Sequence, residues 1–344
     1  MISTQEAPLG AAPSIFDLDI GTDPDDTCVA AMLAARPSRF RPALLVTSDE
    51  TREKGRARFL AGLLRASRVE LPVAAGLPSV RNRASCLVEE AGLAPDDVRF
   101  SVDAVGEIVR VLEASPRVDY VGLGPLSNLD AALLARPELA ARVRLFQMGP
   151  ALAGAYRREA AQYNARLDPG AFARVLARVE KPRLLFSHSS WGSGLGVYPD
   201  DPLACALRGA SPAGALFVRH LEAWVETGKP CSIMHDPLTV LSAALPGLCD
   251  SADVSLVVRD DGWVGLTEEA HAALARELPA RGKVIAGLLS ERHAQMEGVR
   301  IEARMSLDTD GAAARRAIGE ALLGEEGAAV GVAWGDWNRG RGER

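Results

Sequence analysis

From residue 14 to residue 258, short apolar β-prone runs alternate with longer segments of helical pattern. The runs are SIFDLDI, PALLVT, LPVAAG, VDYVGLG, RVRLFQMG, PRLLFSH and ADVSLVV. The helical segments cover 25–35, 51–66, 103–114, 127–135, 168–179 and 213–227. Strands joined through helices must run parallel, and near-continuous apolar strands are buried on both faces. The pattern therefore predicts an α/β fold: an open, mostly parallel, Rossmann-like sheet with helices on both faces. No convincing linker and no internal repeat interrupts it. We expect a flexible segment over 1–14, one domain over 15–330 and a frayed polar tail over 331–344. The piece SSWGSGLGVYPDDPLACALRGASP (189–212) reads as the longest loop, and the Glu-, Ala- and Arg-rich stretch from about 259 to 300 as helices added after the sheet.

In such sheets ligands sit at the carboxyl ends of the strands, and the polar motifs fall there. The first, IFDLDIGTDPDDT, puts Asp17, Asp19, Asp23, Asp25 and Asp26 within ten positions. Asp23 or Asp25 could cap the helix that starts near Pro24, which explains one or two aspartates but not five. Carboxylates this close repel one another and call for a cation or for protons. An all-oxygen set suits Ca²⁺ or Mg²⁺ rather than zinc. The spacing is not that of an EF-hand, whose fifth and twelfth positions would here be Gly21 and Cys28.

Composition narrows the partners. The formal net charge is −6, which argues against nucleic acid, because phosphate backbones require a basic surface. The five cysteines are widely spaced with no C-x-x-C pair, which argues against a disulfide framework or thiolate zinc site. Cys28 reads as a buried core thiol. The N-terminus lacks the charged and apolar regions of a signal peptide, and no apolar run reaches the roughly 18 residues of a membrane span. A cytoplasmic protein without a membrane partner is the expectation.

Three further segments carry polar residues with competing readings. In CSIMHDPLTVLSAAL (231–245), His235 and Asp236 open an apolar helix. They are either a surface residue and a cap, or a proton donor beside a metal carboxylate. In AAQYNARLDPGAFARVL (160–176), Asp168-Pro169 is a helix start and Asn164 is either a loop residue or a donor–acceptor for sugar hydroxyls. In VGLGPLSNLDAAL, Ser127 or Asn128 would cap the following helix.

FDLDIGTDPDDT, GLGPLSNLDAAL, QMGPALAG, AQYNARLDPGAF and MHDPL, in this order from residue 15 to about 245, resemble the inosine-uridine-preferring nucleoside hydrolase family. The resemblance implies the nucleoside hydrolase fold, hydrolysis of an N-glycosidic bond, a Ca²⁺ cofactor, a nucleoside-like substrate and a homodimer or homotetramer. It implies Asp19 as both Ca²⁺ ligand and general base, with Asp26, the Leu123 carbonyl and Asp236 as further ligands. Asp25 and Asn164 would hold the 2′- and 3′-hydroxyls, His235 would protonate the leaving base, and Asp17 would orient the site from behind. Asp23 has no assigned role. Met148, of MGP, and Asp49, of the second-strand loop, fall at substrate-facing positions.

The chain departs from the family where the ribose 5′-hydroxyl binds. The family's AEFN reads AQYN, so Gln162 replaces a glutamate, and Tyr156 stands where an asparagine is frequent. The VGGN-like turn is TSDE (47–50), with Asp49 near the asparagine position, and MGG is MGP, with Pro150. We therefore expect a substrate that is 5′-deoxy, 5′-substituted or 5′-phosphorylated; Arg157 and Arg158 could face an anion there or be exposed charges. Two other readings stand beside this one. A binding protein could keep the site and lose efficient catalysis. FDLDIGT also resembles the DxDGT opening of haloacid-dehalogenase-like phosphatases, with one residue inserted, and that reading would make Asp17 a nucleophile.

Overall fold

The computed structural model describes residues 7–81, 86–152, 161–191, 194–277 and 296–341. Its main element among these residues is a nine-stranded sheet. Five parallel strands are β1 (Ser14–Leu18), β2 (Pro42–Thr47), β3 (Val73–Ala75), β4 (Val118–Gly122) and β5 (Val143–Met148). They are followed by β6 (Arg183–Leu185), the short strands β7 (Gly196–Val197) and β8 (Ser232–Ile233), then β9 (Cys249–Val258), β10 (Val264–Leu266) and β11 (Val299–Thr309). The order across the sheet is β10-β9-β11-β6-β5-β4-β1-β2-β3, with β7 and β8 paired apart from it.

The parallel strands are mostly apolar, as burial on both faces demands, with buried polar residues such as Asp17, Asp119 and Gln147 among them. Phe16, Leu18 and Leu45 join one core with the helix Asp25–Ala35, whereas Ile15, Leu44 and Tyr120 join a second core with the helices Ala104–Ala114 and Ser127–Ala135. The chain leaves β1 toward β2 and β3 on one side and returns to β4, β5 and β6 on the other. The gap between the carboxyl ends of β1 and β4 is thus the point where the connections reverse, the crevice in which open α/β sheets bind ligands.

Three expectations are corrected at the edges. The stretch from about 259 contains β10 and the helix Glu268–Glu277 rather than helices alone, and β11 then inserts between β9 and β6. Ile301, Ala303, Met305 and Leu307 point inward and alternate with polar residues, a two-residue period that the helix-favouring Glu and Ala content obscures. The piece 189–212 is not one loop, since it holds β7 and the helix Pro202–Ala210. Nor do residues 331–341 fray: Gly327–Arg341 is a helix against Gly311–Leu323, with Trp334 fully buried and its indole N–H on the Gly196 carbonyl at 2.8 Å.

Candidate active site

The site is built where β1 and β4 end. Asp17, still on β1, points into the sheet. Its carboxylate accepts from the Tyr120 hydroxyl (2.5 Å) and from Asn128 Nδ2 (3.1 and 3.2 Å). Burial pushes its pKa up to about 7. Asn128 does not cap its helix. Its Nδ2 also reaches the Thr47 carbonyl (3.1 Å) and its Oδ1 accepts from the Leu77 N–H (2.8 Å), so it ties the ends of three strands together.

Beyond Leu18 the chain turns at Gly21, whose φ of 109° favours glycine. It then enters the helix Asp25–Ala35 with Pro24 at the cap position and no side-chain cap. Asp25 and Asp26 occupy the first turn, where the helix dipole favours negative charge. Asp23 is taken instead by the Ser232 hydroxyl on β8, which anchors the aspartate loop to the small β7–β8 pair. Arg56, from the helix Gly55–Ala66, is fully buried beneath the loop. Its guanidinium donates to the carbonyls of Asp19, Ile20 (2.8 Å) and Asp49 (2.9 Å).

The turn brings Asp19, Asp26 and Asp236 together, with one carboxylate oxygen from each within 4.8 Å of the others. Asp236 arrives on the first turn of the helix His235–Ala244. Burial is the largest cause that raises the pKa of Asp19, and it raises Asp25, Asp26 and Asp236 well above the ordinary carboxylate range, with the neighbouring carboxylates adding to it. One oxygen of Asp26 is buried and has no hydrogen-bond partner among the described residues. A buried, unpaired carboxylate oxygen in a group of like charges needs a proton or a cation. The residues thus fit a hard divalent ion, with the oxygen-only donors that Ca²⁺ and Mg²⁺ prefer.

Leu123 follows β4, and its neighbour Gly124 packs directly on Asp19. A Cβ on Gly124 would lie 2.9 Å from the Asp19 Cβ and 2.3 Å from Ser48 Oγ, so only glycine lets the β4 loop close against the β1 loop. The Leu123 carbonyl accepts from Asn164 Nδ2 at 2.5 Å. Asn164 is 5% exposed and is itself held by Gln162, whose side-chain oxygen accepts from the Asn164 N–H (2.8 Å) and caps the helix Tyr163–Leu167. Among the described residues, Gln162 Nε2 meets the sulfur of Met148 (3.7 Å).

His235 lies beside the aspartates. Its Nδ1 is 2.6 Å from Ser190 Oγ, and its ring is 5.5 Å from that of Trp191, which is half exposed. Burial lowers its pKa to about 4. Ser190 was not foreseen from sequence. It sits at the end of the helix Ser187–Ser190 in a Gly- and Ser-rich stretch with no distinctive spacing. Tyr198, a second aromatic of that stretch, packs on Trp337 instead, 5.2 Å between centroids.

Asp49 differs from its expected substrate-facing place. It is wholly buried, and its carboxylate accepts from the Ser79 hydroxyl and from Arg56 Nη2 (3.4 Å). A buried guanidinium requires such a counter-charge. Tyr156, Arg157 and Arg158 lie outside the described residues.

With this geometry in view, the chain was compared with known proteins. The family model described as inosine-uridine preferring nucleoside hydrolase matches residues 14–313. The pyrimidine-specific ribonucleoside hydrolase RihA of Shewanella woodyi is 28% identical, over 74% of this chain and 83% of that protein. The plant nucleoside hydrolase PpNRh1 is similar in structure with a TM-score of 0.70 at 19% identity, over 91% of this chain and 99% of the other. The inosine-uridine preferring nucleoside hydrolase of Bacillus anthracis gives a TM-score of 0.66 at 15% identity, with 91% and 99% covered. At these identities the two structures speak to the fold alone.

Proposed function

The chain belongs to the inosine-uridine preferring nucleoside hydrolase family, whose members are glycosidases that hydrolyse the N-glycosidic bond of nucleosides. From that premise we propose that this enzyme is Ca²⁺-dependent and that it acts on a ribosyl compound altered at its 5′ position.

The observation that carries the metal is the Asp19, Asp26 and Asp236 group with its unpartnered Asp26 oxygen. Asp19, Asp26, Asp236 and the Leu123 carbonyl would hold the ion. A cation of this kind lowers the pKa of bound water and anchors hydroxyl groups. Asp19 takes the proton from the attacking water. Asp25 and the Asn164 amide receive the 2′- and 3′-hydroxyls. Cleavage builds positive charge on the sugar, an oxocarbenium-like state that the surrounding carboxylates stabilise. His235 delivers a proton to the departing base, and the Trp191 ring offers that base an aromatic face.

The 5′ proposal rests on Gln162. Its oxygen is spent on the helix cap, so toward a ligand it presents an N–H donor rather than the carboxylate acceptor of the family pattern. A donor suits a 5′ substituent that only accepts, such as an ether, thioether or phosphate oxygen, better than it suits a hydroxyl. A substrate panel tests this. The expected result is that a 5′-modified nucleoside has a higher kcat/KM than inosine, uridine and every other unmodified nucleoside. An unmodified nucleoside turned over faster than all 5′-modified analogues sinks it. The phosphatase reading falls with the family match. The weak-binder reading is disfavoured by the retained Asp19 and His235.

A further inference from the structure

Arg56 carries a charge and is only 1% exposed, and its place in the chain needs a reason. It is the second residue of the helix Gly55–Ala66. A cation in the first turn opposes the helix dipole, and a guanidinium is costly to take out of water. Helix energetics alone therefore gives no reason for an arginine here. The loop after β2 is nevertheless built to hold it. The Glu50 carboxylate accepts from the first N–H groups of the helix, those of Arg56 (3.2 Å) and Ala57 (3.0 Å). Asp49 supplies the counter-charge, with its carboxylate 3.4 Å from Arg56 Nη2.

The guanidinium bridges two loops. On one side its Nε donates to the Asp49 carbonyl (2.9 Å). On the other, Nη1 donates to the carbonyls of Asp19 and of Ile20 (2.8 Å), and Nη2 reaches Thr22 Oγ1 (3.3 Å). These three groups all belong to the turn that passes through Gly21. Asp26 and Asp236 ride on the first turns of helices, which hold their backbones. Asp19 lies between the end of β1 at Leu18 and the helix Asp25–Ala35, in neither element. Its carboxylate must still come within 4.8 Å of the other two, so its backbone has to be fixed from somewhere else.

We propose that Arg56 is the positioning residue of the ion site: it fixes the turn from Asp19 to Thr22 so that the Asp19 carboxylate meets those of Asp26 and Asp236, and it thereby sets the affinity for the ion. A planar guanidinium has donors in fixed directions and can hold groups on opposite sides at once. The single ammonium of a lysine is a point charge on a flexible stem and cannot. Asp49 completes the device, because it cancels a positive charge that would otherwise repel a cation in the neighbouring site. The inference rests on the metal reading above and adds to it the residues that tune the site from behind.

The test is a calorimetric titration of Ca²⁺ into the chelator-stripped full chain. It compares the wild type with Arg56→Lys, Asp49→Asn and Arg144→Lys, each below its own melting transition. Arg144→Lys is the control, since Arg144 and Asp119 form another buried ion pair (2.6 Å), near the amino ends of β5 and β4. A merely structural role would lower the Tm and leave the Ca²⁺ affinity of the folded protein unmoved. The expected result is one saturable site in the wild type, with the same affinity in Arg144→Lys. Arg56→Lys, which keeps the charge, and Asp49→Asn, which removes the counter-charge, should each bind at least about tenfold more weakly, the scale of one charge-assisted hydrogen bond. A wild type that binds Ca²⁺ while Arg56→Lys loses less than that, or an equal loss in Arg144→Lys, overturns this proposal and leaves the metal reading standing. No Ca²⁺ binding by the wild type overturns both. Should Arg56→Lys fail to fold, Asp49→Asn decides, and an unchanged affinity there overturns the proposal.

Discussion

Asn128 makes four hydrogen bonds, to both oxygens of Asp17, to the Thr47 carbonyl and to the Leu77 N–H, and the site depends on such buried amides as much as on its carboxylates. The most consequential of these single contacts is the one between Ser190 and His235. Serine has one O–H, and Ser190 Oγ lies 3.0 Å from the Ser187 carbonyl and 2.6 Å from His235 Nδ1. If Ser190 donates to Nδ1, the neutral imidazole carries its proton on Nε2, ready for delivery; if it donates to the Ser187 carbonyl, Nδ1–H donates to Ser190 and Nε2 must first take up a proton before the ring can act as an acid. His235→Ala is expected to lower kcat on nucleosides by about 10²- to 10⁴-fold, and Ser190→Ala by roughly tenfold, an order-of-magnitude figure for one lost orienting hydrogen bond. A riboside whose leaving group departs as a stable anion needs no acid and should retain most of its rate in both variants. Equal losses on both kinds of substrate would remove His235 from the role of acid. At this scale the sequence is legible where side chains meet side chains. The spacing of Asp17, Asp19, Asp25 and Asp26, and the His235-Asp236 pair, could be read directly. Arg56 could not, because it binds backbone carbonyls of Asp19, Ile20 and Asp49, and carbonyls leave no trace in residue identity.

At the level of elements, the helix Pro212–Glu226 braces the aspartate loop through His220. Nδ1 of that fully buried ring is 2.8 Å from Thr27 Oγ1, Nε2 is 3.2 Å from the Thr22 carbonyl, and Phe59 meets it edge-on. Burial depresses the His220 pKa from 6.5 to about 3. The folded state therefore prefers the neutral ring. The associated stability is fully present above pH 6.5, falls as the unfolded chain takes up the proton below that value, and is gone once pH has dropped through about 3. By pH 5 one such histidine costs roughly 2 kcal/mol. From pH 7 to pH 5 the wild type should lose about 2 kcal/mol relative to His220→Gln, measured by calorimetry, since the buried carboxylates with raised pKa values act alike in both; parallel stability curves would show that His220 is not the group responsible. The helix Gly327–Arg341 offers a second test. Trp334→Ala should cost about 3–5 kcal/mol as a large buried side chain, whereas a frayed tail would give no change in denaturant midpoint. Composition misleads for both terminal elements. Gly and Arg in GDWNRGRGER mark a loose tail until Trp334 finds a core to enter, and the charged residues of β11 mask its alternation.

Across the whole molecule, the strand order β6-β5-β4-β1-β2-β3 explains why residues from 19, 123, 164 and 236 meet. The serial βα pattern foretold the parallel sheet, and the sheet's reversal between β1 and β4 dictates that the loops after those strands face each other. What the pattern could not show is the insertion of β11 between β9 and β6, since nothing local says which strands it reaches; the five-residue turn RDDGW between β9 and β10, by contrast, admits only antiparallel pairing. Nor could it show which motif residues face the crevice and which, like Asp49, turn into the core to balance a buried cation. Among the described residues no helix is long and apolar enough to cross a membrane. The central claim is that the Asp19, Asp26 and Asp236 group holds a divalent ion with which the chain cleaves N-glycosidic bonds. The direct measurement is release of free base from a panel of plain and 5′-modified ribonucleosides. It is made on chelator-stripped protein as Ca²⁺ is restored, for the wild type and Asp19→Ala. The account predicts base release that rises and saturates with Ca²⁺, and that drops at least roughly a hundredfold in Asp19→Ala at unchanged helix content. Full activity in stripped protein, an Asp19→Ala variant as active as the wild type, or no base from any compound would contradict it.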